Sequence, residues 1–121
     1  MARVHGSLDV DEIIRRFESN AIPLAEYTMM RDGRGLYCLF QDGRCLYVGR
    51  SRAVQSRVDD HMCGNGGNAA LSRHMSRHGD KIYVSFVYLD RPDSELDGMR
   101  DKLARRLQPK FNRAALRARR G

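Results

Sequence analysis

Gly35-Leu36-Tyr37-Cys38-Leu39-Phe40-Gln41-Asp42-Gly43-Arg44-Cys45-Leu46-Tyr47-Val48-Gly49 is the stretch that decides the fold. Two apolar runs flank Asp42-Gly43, a dipeptide suited to a hairpin turn because both residues tolerate positive φ. The tripeptides Gly35-Leu36-Tyr37 and Tyr47-Val48-Gly49 set two tyrosines ten residues apart. Register decides how they relate. A two-residue turn on Asp42-Gly43 pairs Cys38 with Tyr47 and sends the phenols to opposite faces. A three-residue loop, Gln41-Asp42-Gly43, makes Tyr37 the direct partner of Tyr47, with Cβ atoms about 4.5–5.5 Å apart. The second register is the one expected here. In it Cys38 and Cys45 point to opposite faces and cannot bridge.

The hairpin runs into Arg50-Ser51-Arg52-Ala53-Val54-Gln55-Ser56-Arg57-Val58-Asp59-Asp60-His61. Ser51 is the expected N-cap of a helix over about 52–62. Arg57 lies eight residues after Gly49, and His61 four after Arg57, so the two share a helical face. Singly, each residue has an ordinary use: tyrosines pack in sheets, and arginine and histidine sit on solvated helix faces. Together, in this order and at these spacings, they resemble the signature of the GIY-YIG endonuclease superfamily. Pro109-Lys110-Phe111-Asn112 is similar to the way that family ends its last helix. The resemblance covers roughly residues 35–112.

The resemblance implies a metal-dependent endonuclease that hydrolyses DNA phosphodiester bonds with one divalent cation, Mg²⁺ or Mn²⁺. It assigns Tyr37, Tyr47, Arg57, His61 and Asn112 to the catalytic set. A phenol of pKa about 10 is a poor base at neutral pH unless neighbouring charge lowers it. Arg57 suits bidentate contact with a phosphate, and a histidine of pKa about 6.5 can carry or release a proton. Arg50, Arg52, Lys110, Arg113 and Arg117 are the further candidates for nucleic-acid contact.

One position departs from the family. Its metal-binding glutamate stands twelve residues before the asparagine, and here that residue is Arg100. An arginine cannot ligate Mg²⁺, which takes oxygen ligands. Asp97, one turn earlier, is the candidate replacement ligand; Asp101 is expected to point outward. Three readings stay open: a substituted form of an active nuclease, a metal site rebuilt on Asp97, or a catalytically silent nucleic-acid-binding domain of the same fold.

Charge distribution agrees with an acidic partner. Residues 1–99 carry 13 basic and 14 acidic side chains, whereas residues 100–121 carry nine and one, so the net +7 comes wholly from the C-terminal end. Such a segment binds phosphates through counterion release, and it is also what a solvated terminus looks like. No apolar run reaches the roughly 20 residues of a membrane span, and no signal peptide is recognisable. Three cysteines without CxxC spacing suggest a reduced, cytoplasmic protein without zinc. His74 and His78 are four apart but lack a third ligand at metal spacing.

A chain of 121 residues supports one domain. The spacing predicts an amphipathic helix over about 9–19, with Val10, Ile13, Ile14 and Phe17 on one face. A connecting segment over 20–34, strands at about 36–40 and 44–48, and a helix from the Gly64–Gly67 break to about 78 follow. Lys81–Leu89 is the clearest strand and reads as buried on both faces. A last helix spans 93–107. The expected class is α/β: a small, three-stranded, mainly antiparallel sheet flanked by helices, with a core at about 35–112 and a basic tail at 113–121.

Overall fold

The Asp9 carboxylate accepts a hydrogen bond from the Glu12 N–H at 2.8 Å and starts helix α1 (Val10–Ser19). The structure, a computed structural model, describes residues 9–112. Strands β1 (Ile22–Pro23), β2 (Gly35–Gln41), β3 (Arg44–Ser51) and β4 (Ile82–Tyr88) form one antiparallel sheet in the order β1-β4-β2-β3. Helices α2 (Val54–Met62) and α3 (Ala69–His78) lie between β3 and β4 in sequence, and α4 (Asp93–Leu107) follows β4.

The sheet has four strands, not three. Residues 20–34, expected as a plain connection, supply β1 and a 3-10 helix over Leu24–Met29. Only two residues of β1 pair, Ile22 with Val84 and Pro23 with Tyr83, too few to leave a periodic signal.

The hairpin register also differs from the expected one. Asp42 and Gly43 have φ of 52° and 73°, so the turn is the two-residue kind, and Gln41 pairs with Arg44. Counted strictly, that turn separates the tyrosines. A bulge corrects the count: Phe40 pairs with Cys45 and Leu39 with Tyr47, leaving Leu46 extra. Leu46 and Tyr47 therefore pack with the same core, beside Tyr37. Tyr37 pairs directly with Gly49, not with Tyr47. The phenols share a face by diagonal placement, with ring centroids 6.0 Å apart.

The two-residue turn, by pairing Cys45 with Phe40, brings Cys38 and Cys45 to one face, contrary to the sequence expectation. Their sulfurs lie 3.3 Å apart as free, buried thiols. They belong to the core that the sheet forms with α1 and α4, built on Ile13, Phe17, Leu36, Val48, Val87, Leu96 and Leu103. The opposite core holds Tyr37, Leu39, Val84 and Phe86 against Val54, Val58, Leu71 and Met75 of α2 and α3. Strand β4 contributes to both layers, as its continuous apolar sequence predicts.

The edge strand β3 is partly covered by the segment after α4. Lys110 N–H reaches Cys45 O at 3.3 Å, and Phe111 N–H reaches Leu46 O at 2.8 Å. Covering an edge in this way satisfies its backbone and blocks strand addition. The basic tail, including Arg113 and Arg117, lies outside the described residues.

Candidate functional site

Both motif glycines have steric causes. A Cβ on Gly35 would lie 2.1 Å from Val87 O, so the β2–β4 approach requires glycine. A Cβ on Gly49 would lie 2.4 Å from the Tyr37 Oη, because the Tyr37 ring lies across its cross-strand partner. Gly49 thus makes the space that Tyr37 fills.

Helix α2 is set by a distant carboxylate, not by Ser51. Ser51 ends β3, where its Oγ accepts from Ala53 N–H at 2.9 Å. Asp32 accepts from Gln55 N–H at 2.8 Å and from the Ser56 hydroxyl at 2.5 Å, capping the helix from outside it. With α2 fixed, Val54 and Val58 enter the core, and Arg57 and His61 face the two tyrosines.

His61 Nε2 lies 2.9 Å from Tyr37 Oη, and both side chains are buried. The Tyr47 ring meets the His61 ring edge-on at 5.1 Å. His61 Nδ1 has no hydrogen-bond partner, and a Cβ on Gly66 would lie 2.3 Å from it. An orphaned acceptor costs less than an orphaned buried N–H, so the proton is assigned to Nε2, donating to Tyr37 Oη. The Tyr37 O–H is then left to donate elsewhere. Burial, with help from the Arg57 charge, lowers the His61 pKa to about 4. Burial, reinforced by Tyr47 and only partly opposed by Arg57, raises the Tyr37 pKa well above its ordinary value. At neutral pH the pair is a phenol and a neutral imidazole.

Arg57 is held from behind: its Nη2 donates to Gly66 O at 2.9 Å, and Nη1 lies 3.9 Å from Asp60. Tyr37, Tyr47, Arg50, Ser51, Arg52, Arg57, Asp93 and Arg100 line one open cleft of about 510 Å³. His61 stands behind Tyr37 and does not line it. Asn112 is elsewhere too: its Oδ1 accepts from Val48 N–H and its Nδ2 donates to Val48 O, both at 2.9 Å. Its amide is committed to holding β3 between Tyr47 and Gly49. Lys110 lies over the Phe111 ring, its ammonium 5.4 Å from the centroid.

Sequence reasoning missed Asp93 and Gly66. Asp93 is bonded by Arg34 at 2.5 Å and Arg52 at 2.8 Å, with Arg50 at 3.5 Å. Hydrogen bonds from Arg52 and Arg34 lower its pKa to about 2. In sequence it is just an acid in a helix's first turn. Gly66 sits in a glycine run that reads as a break, and nothing local marks its carbonyl as the arginine's anchor.

Arg100, twelve residues before Asn112, lines the cleft of the two tyrosines. Its Nη1 lies 3.3 Å from Asp97, and its Nε and Nη2 lie 3.3 and 3.2 Å from Asp101. Asp101, expected outward, is buried. Asp97, the candidate ligand, accepts from Arg50 Nε at 2.6 Å. Among the described residues no three His, Cys, Asp or Glu side chains gather around a point. The carboxylates near the cleft are thus ion-paired with arginines, and residue 100 presents a cation to it. This donor set does not fit a divalent metal.

No protein-family model matches the sequence, and no curated protein matches it. Solved structures do. The GIY-YIG N-terminal endonuclease domain of UvrC from Thermotoga maritima, bound to its catalytic divalent cation, magnesium, superposes with a TM-score of 0.54. Sequence identity is 17%, over 73% of this chain and 92% of that one. An asparagine-to-alanine point mutant of that domain, also bound to its divalent cation, gives 0.53 at 14% identity over 72% and 90%. A tyrosine-to-phenylalanine mutant gives 0.53 at 16% over 73% and 92%. The chain has the GIY-YIG fold, with the two tyrosines, the arginine and the histidine that resemble its signature gathered into one cluster.

Proposed function

We propose that this chain is a DNA endonuclease domain by architecture, whose cleft grips one phosphodiester, and that in this form it binds DNA without cutting it. The observation that carries the reading is the convergence of Tyr37, Tyr47, Arg50, Arg52 and Arg57 on one open cleft. Arginine forks match phosphate oxygens, and excess positive charge attracts a polyanion. Arg57, braced by Gly66, clamps the phosphate. The Tyr37 hydroxyl, its oxygen held by His61, donates toward it. Tyr47, half-buried, is placed to orient an attacking water. What the cleft lacks is an unpaired acid: its lining carboxylate, Asp93, is bound by Arg34 and Arg52. Arg100 stands where the family resemblance expects the metal-binding glutamate, whereas the similar UvrC domain carries a catalytic divalent cation.

The test is cleavage of supercoiled plasmid with Mg²⁺ or Mn²⁺, alongside duplex-DNA binding, for the chain as it stands and for Arg100→Glu. Salt-sensitive binding by both, with nicking by Arg100→Glu alone, is the expected result. Absence of salt-sensitive binding would remove the reading, and nicking by the unaltered chain would remove its second half. If Arg100→Glu binds without nicking, the second reading holds: a nucleic-acid-binding domain with no catalytic role. Arg100 itself favours that alternative. We also assign the protein to the cytoplasm, which its three free thiols support; no described helix is long and apolar enough to cross a membrane.

A further inference from the structure

We infer that Arg100 takes the cation's place: with Arg50 and Arg57 it forms a phosphodiester site that needs no divalent metal. This rests on the proposed DNA-binding reading and adds what supplies the positive charge. Three observations carry it. Four arginines, Arg50, Arg52, Arg57 and Arg100, line the cleft with one carboxylate, Asp93, while Asp97 and Asp101 pair with Arg50 and Arg100 from outside the lining. The lining thus offers guanidinium donors to a phosphodiester, and leaves a dication no carboxylate that is not already paired with an arginine. Second, Arg100 is held in place from two sides, by Asp97 at 3.3 Å and Asp101 at 3.2 Å, so little side-chain entropy remains to be lost on binding. Third, Asp97 accepts from Arg50 at 2.6 Å as well as pairing with Arg100, so one carboxylate ties two guanidiniums together at the cleft.

Guanidinium is weakly hydrated, planar and permanently charged, and presents paired donors to two phosphate oxygens. It can neutralise and orient a phosphate as a metal would. It cannot generate a hydroxide nucleophile, which is the chemistry a bound cation adds. The site therefore retains recognition and loses hydrolysis.

The experiment measures anisotropy of a labelled DNA duplex across a salt series, in EDTA and in Mg²⁺ at matched ionic strength. Affinity in EDTA should equal that in Mg²⁺ within about twofold. Arg100→Gln should lower affinity about tenfold and reduce the log–log salt slope by about one, the mark of one lost phosphate contact. Arg100→Lys should keep the slope. Arg15→Gln, the same charge loss on α1 outside the cleft, should change neither. Loss of binding in EDTA, or an unchanged slope for Arg100→Gln, overturns the inference while leaving DNA binding intact. No salt-dependent binding by the unaltered chain overturns the functional reading instead. Mn²⁺ alone gives an independent readout: its free-ion EPR signal should persist with this chain, and its disappearance on mixing would also overturn the inference.

Discussion

The Tyr37 hydroxyl lies 2.9 Å from His61 Nε2, with 1% of the tyrosine and none of the histidine exposed. Burial fixes the charge state of both, and a stability prediction follows. The His61 pKa falls to about 4 in the folded chain, from about 6.5 unfolded. Between those values the unfolded chain binds the proton and the folded chain does not. Stability is therefore complete above about pH 6.5 and lost as pH falls toward 4, by at most about 1.4 kcal/mol per unit. Urea midpoints across pH 4–8 should show this slope, and His61→Phe should reduce it, leaving the part due to His74, whose pKa burial also lowers. Asp93 titrates lower, near 2, so it does not mimic the effect. An unchanged slope in His61→Phe would place the proton elsewhere.

Gly49→Ala drives a methyl group into the Tyr37 phenol at 2.4 Å. Overpacking of this kind costs about 1–3 kcal/mol. Gly98, in the exposed middle of α4, has nothing within 4 Å of a Cβ. Gly98→Ala should raise stability by about 0.5–1 kcal/mol. Chemical denaturation of the two variants should therefore move in opposite directions. Equal tolerance of both would mean that Tyr37 does not occupy the space above Gly49.

Asn112→Ala removes both bonds to the Val48 backbone. Leaving those groups unsatisfied should destabilise the chain by about 1–3 kcal/mol. DNA affinity, measured where the variant is folded, should stay within about twofold, because the salt-dependent phosphate contacts are unaltered. A large affinity loss in a stably folded Asn112→Ala would mean that this residue acts at the cleft and not only on the Val48 backbone.

Asp93→Asn frees Arg34, Arg50 and Arg52 from their shared carboxylate. Cleft charge rises by one, so duplex DNA should bind more tightly, with a salt slope steeper by about one. Stability should change little, since partly exposed ion pairs contribute about 0–1 kcal/mol. Weaker binding would show that Asp93 orients the arginines more than it neutralises them.

Tyr37→Phe leaves the core filled and removes one hydroxyl. In an Arg100→Glu background that nicks plasmid, it should lower the rate by about 10²-fold or more. Far weaker loss than that, with the fold intact, would assign the chemistry to Tyr47.

The spacing of Gly35, Tyr37, Tyr47, Gly49, Arg57 and His61 marked the fold because each pair lies on adjacent strands or one helical turn, where periodicity is local. The last helix, Asp93–Leu107, was legible to the residue, since Pro92 and Pro109 bracket its apolar stripe. Arg100 was visible as a departure by counting back from Asn112. Strand β1 was not legible, because two paired residues carry no period. The register failed for a related reason: a bulge at Leu46 adds one residue without a composition signal, and one residue reverses every side chain beyond it.

The sequence by itself determined the hairpin, the helix that carries Arg57 and His61, and the place of Arg100 on the last helix, all matters of order and short spacing. Only the tertiary structure decided which groups are free to act. It buried His61 behind Tyr37, tied Asn112 to Val48, and paired Asp97 with Arg50. Burial and ion pairing depend on contacts between residues some 24 to 64 positions apart, and no local pattern encodes their distances.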